Sequence, residues 1–119
     1  MHGSFSRADT LNFMAARGPD FRTQYVDELP ASNADIGTTL MQLLQLSIDH
    51  QGSPQGRVLT EALSAESSAA PPPTIAARTV ESKPSANGLK TVLKVQSVAG
   101  HDYLDAAGFT GHTVGLDAE

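Results

Sequence analysis

The chain has 119 residues, 39% of them hydrophobic, with four Phe, two Tyr and no Trp, which suffices for one small domain with a modest core. A net charge of −5, with the eight Lys and Arg scattered singly, argues against nucleic acid or an anionic membrane surface as a partner. There is no Cys, hence no disulfide and no thiolate metal site; the longest apolar run, Leu43-Leu44 between Gln42 and Gln45, is far too short to span a bilayer.

No basic segment leads into an apolar one at the start of the chain, so a signal peptide is not expected. His2-Gly3-Ser4-Phe5 reads as a turn. Ser6 is placed to cap a helix by accepting from the Asp9 backbone N–H, with Asp9 reaching back to complete a capping box. Leu11, Met14 and Ala15 continue that helix as a narrow apolar stripe, and Gly18-Pro19 stops it. Asp20 to Val26 suits a short extended segment.

After the loop Leu29 to Asn33, a second helix is expected from Asp35 to about Leu46, capped by Asn33 or Asp35. Ile36, Leu40, Leu43 and Leu44 stand at i, i+4, i+7 and i+8 and predict one buried face, widened by Met41. Ser47 to Gln55 is a polar loop, and Arg57 to Leu63 predicts a final helical turn.

Residues 64–88 are rich in Ser, Ala and Pro, including Pro71-Pro72-Pro73, and read as a linker or extended strap. Strand character returns at Leu89 to Val98, where Thr91, Leu93 and Val95 alternate with Lys90, Lys94 and Gln96. Tyr103-Leu104 and Thr113 to Leu116 suggest two further short strands. The expected division is therefore 1–63 as an α/β portion, 64–88 as a linker and 89–119 as a β-ribbon tail.

Three stretches carry a family resemblance. The first is His2-Gly3-Ser4 followed by Ser6, Asp9, Asn12 and Gly18-Pro19-Asp20-Phe21. The second is Asn33-Ala34-Asp35-Ile36 leading into Thr39 to Leu46, and the third is Gly56-Arg57-Val58-Leu59-Thr60-Glu61-Ala62-Leu63. In this order and at about this spacing they resemble the C-terminal region of the alkaline phosphatase superfamily. The nearest branch is the type I phosphodiesterase/nucleotide pyrophosphatase group and its bacterial relatives. Residues 91–116 are similar, more weakly, to a β-ribbon that ends some bacterial members.

The resemblance implies a partial alkaline-phosphatase-like α/β fold, with helices and the edge of a mixed sheet, followed by a small antiparallel ribbon. It implies a parent enzyme that hydrolyses phosphoric esters with two metal ions, usually zinc, and a Thr or Ser nucleophile. In that family the His of the His-Gly pair is the last metal ligand, which assigns the role to His2. The nucleophile and the other ligands lie upstream of this sequence, so the 119-residue chain alone is expected to be inactive and not to bind zinc. The implied substrate is a phosphate-ester small molecule, and an often-exported family implies a periplasmic or secreted parent.

Other residues invite chemical readings. Asp49-His50 has the look of a metal pair but is placed as a solvated loop. His101 and His112, with Asp102 and Asp105, read as exposed hairpin residues. Ser4 and Ser6 lack an identifiable base, and Ser6 is explained as a cap. Asp20 reads as a turn residue.

A sulfatase or phosphonate hydrolase relative carries the same stretches equally well. A self-sufficient binding or structural module is the alternative from another class. For a chain separated from its partner sheet, self-association through exposed apolar faces is expected.

Overall fold

A computed structural model describes residues 4–48, 52, 55–65, 69 and 71–117. Its described elements are helix α1 (Arg7–Thr10), helix α2 (Asn33–Leu43), a 3-10 turn at Thr60–Ala62, and strands β1 (Ile75–Glu81), β2 (Val92–Val98) and β3 (His101–Gly108). The class is mixed α/β, with a small antiparallel sheet in the order β1-β2-β3. Packing groups the chain into two units, Met1–Met14 with Ile75–Ser97 and Asp102–Glu119, and Ala15–Thr74 with Val98–His101.

In the first unit, β1 rises out of the stretch expected to be a linker. The β1–β2 turn is closed by Ser85, whose N–H donates to the Leu89 carbonyl at 2.8 Å and whose carbonyl accepts from Gly88 N–H at 2.9 Å. The β2–β3 turn, whose residues Val98–His101 are grouped with the second unit, holds Ala99 at φ 49° and Gly100 at φ 81°. Two successive positive φ values mark the two-residue hairpin loop whose twist matches the flanking strands. Strand β3 runs well beyond the expected Tyr103-Leu104 pair.

Residues 113–116 are no third ribbon strand. They form a turn that drops Leu116, 1% exposed, onto Val92 and Ala106. Gly115 passes so close to Ala106 and Arg7 that a Cβ there would sit 2.8 Å from the Arg7 Cβ, and its φ of +90° is itself a glycine conformation.

Helix α1 is a single turn, not the longer helix that the Leu11-Met14-Ala15 stripe predicts. Ser6 does cap it, accepting from Ala8 N–H at 3.1 Å and not from Asp9. The helix ends where Leu11 turns extended (φ −80°, ψ 105°). There the Asn12 side-chain oxygen accepts from Phe13 N–H at 2.8 Å, a local bond that competes with the helical ladder. Residues 11–17 are exposed throughout. The turn is held by Arg7, which forks onto Asp105 at 2.8 and 2.5 Å while its N–H donates to the Val114 carbonyl.

In the second unit, α2 starts two residues before the expected Asp35. Its N-cap is Ser32, whose N–H donates to the Asp35 carboxylate at 2.7 Å. The helix stops at Leu43 because Gln45 enters the left-handed region at φ 53°. Gln45 N–H then donates to Gln42 O and Leu46 N–H to Met41 O, the paired bonds of a Schellman cap.

The expected buried stripe is corrected. Ile36, Leu40 and Leu44 are 38%, 46% and 63% exposed, whereas the buried residues of α2 are Asp35 and Thr39. Those two stand one turn apart and meet backbone N–H groups that an apolar side chain would leave unsatisfied.

Candidate functional site

The second and third stretches that carry the resemblance, with the Gly18–Phe21 end of the first, come together in the second unit, and hydrogen bonds do the joining. Ser4, Ser6, Asp9 and Asn12 of the first stretch belong to the first unit. Asp35, already tied to Ser32 N–H, also accepts from Arg57 N–H at 2.8 Å. Thr39 Oγ1 accepts from Leu59 N–H at 3.0 Å. Gly56 lies so near the Ala34 carbonyl that a Cβ there would collide with the helix backbone. The second and third stretches are therefore locked residue against residue.

The end of the first stretch joins the same body. Phe21 forms an isolated antiparallel bridge with Leu63, Arg22 N–H donates to Ala62 O at 2.9 Å, and Ser64 N–H donates to Asp20 O at 2.8 Å. Asp20 thus serves through its backbone as the turn residue expected. Arg22 Nε also donates to Leu63 O at 3.0 Å, and its guanidinium lies 5.2 Å from the Tyr25 ring centroid. The predicted extended segment 20–26 is reduced to this one bridge, because Thr23 and Gln24 form a turn with Gln24 at φ 53°.

An ion pair closes the 3-10 turn. Arg57 donates to both Glu61 carboxylate oxygens, at 2.8 and 2.6 Å, and to the Pro30 carbonyl at 3.0 Å. The Arg57 and Glu61 side chains are 4% and 0% exposed. Burial works to raise the Glu61 pKa, but the Arg57 hydrogen bonds and charge outweigh it and hold the carboxyl below its ordinary value. Asp27 is shifted the other way, first by burial and then by facing Glu61, against a lowering bond from Leu29 N–H. Tyr25 is raised by burial and by the charge of Asp27.

His2, assigned as the metal ligand, and Asp49-His50 lie outside the described residues. Near the former, the Ser4 hydroxyl and N–H both donate to the Asp9 carboxylate. Asp9 therefore reaches back as the sequence suggested, but to Ser4 and not to Ser6. Neither serine meets a histidine base in these bonds.

In the ribbon, Asp102 accepts from Arg78 and from the Ser97 hydroxyl, and Asp105 from Arg7. His101 Nδ1 lies 3.1 Å from the Ala99 carbonyl. Among the described residues no three His, Cys, Asp or Glu converge as a metal would require.

The sequence reading missed the Asp35–Thr39 seam and the Arg57–Glu61 pair. Their signal was present as i,i+4 spacing in each case, on the polar side of the pattern and not the apolar one. No family model matches the chain, and no curated protein or solved structure matches it.

Proposed function

We propose that this chain is the C-terminal portion of a metal-dependent phosphoric ester hydrolase of the alkaline phosphatase superfamily, in the type I phosphodiesterase/nucleotide pyrophosphatase branch. The observation that supports this most is that the second and third resembling stretches, and the end of the first, are joined to one another in the second unit. Phe21 meets Leu63, Asp35 meets Arg57, and Thr39 meets Leu59. In this reading His2 is one zinc ligand of the parent, and Asp9 fastens the adjoining Ser4. The parent's nucleophile and remaining ligands come from sequence that precedes His2, and the 119-residue chain does not turn over substrate by itself. Sulfatase and phosphonate hydrolase relatives differ by residues outside this chain.

The test is the reading frame preceding the Met1 codon and the protein it encodes. The expected frame supplies a Thr or Ser nucleophile, paired Asp residues and an Asp-His motif. The encoded enzyme should hydrolyse a nitrophenyl phosphodiester, and His2→Ala should remove that turnover and lower the bound zinc. A stop codon directly before Met1, or zinc-dependent turnover by the pure 119-residue chain, overturns the proposal.

A further inference from the structure

Residues 11–17 form an exposed run whose backbone is left open. Leu11 N–H closes α1 on Arg7 O, and Phe13 N–H is taken by Asn12. Beyond these, no backbone N–H or carbonyl of residues 12–17 bonds to another described residue. Leu11 and Phe13 are 74% and 87% exposed. An apolar segment with an unused row of donors and acceptors is the form that adds to a sheet edge.

The same chain carries such an edge. Strand β1 is outermost in its sheet, as long as the segment, and exposed along its whole length. Ser82 N–H donates to Thr91 O on the β2 side. The alternation of a ladder then turns the N–H groups of Glu81 and Thr79 outward, away from β2. Laid parallel, Leu11 falls beside Ile75, and Arg17 beside Glu81, whose other partner is the exposed Lys90. The antiparallel arrangement would instead set Leu11 against Glu81. We propose that residues 11–17 of one copy of this chain add as a strand to the free edge of β1 in a second copy. Reciprocal exchange closes a dimer. This association is independent of the hydrolase reading above.

Sedimentation of the 119-residue chain over low to high micromolar concentrations tests it. Wild type should shift from monomer towards dimer mass. Ala15→Pro/Ala16→Pro removes two N–H groups that have no partner among the described residues. Thr79→Pro removes one outward donor at an edge where Pro is tolerated. Both variants should stay monomeric at every concentration with unchanged far-UV circular dichroism. Amide exchange on the unaltered chain gives a second reading, with alternate amides of residues 12–17 protected at high concentration only. A wild-type chain that is monomeric throughout, association that survives either variant, or amides 12–17 equally open at both concentrations overturns the proposal.

Discussion

Glu61 is the residue on which the second unit depends most. Its carboxylate is fully enclosed and takes two charge-assisted bonds from Arg57. Removing one partner of such a pair leaves the other charged and desolvated, which costs about 3–5 kcal/mol. Glu61→Gln should therefore lower the unfolding free energy read from urea denaturation by about 3–5 kcal/mol, and a loss under about 1 kcal/mol would place the pair among the weak surface type.

The neighbouring carboxyl carries the opposite sign. Glu61 sits below its ordinary pKa, so its contribution is present above that value and is lost as pH falls through the lowered one. Asp27 sits above its ordinary pKa, so its contribution is present in acid and is lost as pH rises through the raised one. At neutral pH the Asp27 charge thus opposes the fold. Asp27→Asn should be more stable than wild type at pH 7, with the difference shrinking as pH falls below the raised Asp27 pKa. Urea denaturation of both proteins at neutral and acidic pH reads this directly, and a gain that is constant across pH refutes the electrostatic cause.

At the scale of the element, helix α2 shows how far periodicity reaches. The apolar spacing of Ile36, Leu40 and Leu44 located the helix to within two or three residues, since a 3.6-residue period is a property of the local chain. It misjudged the buried face, because burial here is decided by tertiary hydrogen bonds from Arg57 N–H and Leu59 N–H to Asp35 and Thr39. The end of the helix was hidden for a related reason. Sequence favours Gly at a left-handed cap, and this one uses Gln45 at φ 53°. A side chain bearing Cβ pays roughly 1 kcal/mol or more in that conformation. Gln45→Gly should accordingly raise stability by about 0.5–1 kcal/mol, seen as a higher urea midpoint with an unchanged slope. The converse holds at Gly56, where the Ala34 carbonyl fills the space a methyl would need. Gly56→Ala should cost roughly 1–3 kcal/mol by pushing the third stretch off the helix.

At the scale of the molecule, the positions of β2 and of the core of β3 were legible from strand-forming residues and turn signals. The expected alternation in β2 is corrected, since its buried residues are Val92, Val95 and Val98 and not Thr91 and Leu93. Strand β1 was not legible. Its sequence, Ile-Ala-Ala-Arg-Thr-Val-Glu, follows a run of prolines and lacks a buried face to impose alternation. The candidate His2 rests on resemblance alone, since a single imidazole carries no ligand spacing to read. Nor could the sequence show that the stripe continuing α1 is an open, exposed run. That openness governs proteolysis. Arg17 lies in an exposed segment without backbone bonds and is followed by Gly18, whereas Arg57 is enclosed, Arg22 is bonded through backbone and side chain, and Lys83 is blocked by Pro84. Cleavage requires the chain to fit a protease as an unpaired strand, so the bond after Arg17 should be the first one trypsin cuts, at low chain concentration. Mass spectrometry of the earliest fragments identifies it. If residues 11–17 pair with β1 of a second copy, the same cut slows as the chain is concentrated at a fixed protease ratio, while cutting after the exposed Lys90 does not. Equal slowing at both sites would mean that concentration acts on the protease or on the fold as a whole, and not on this strand.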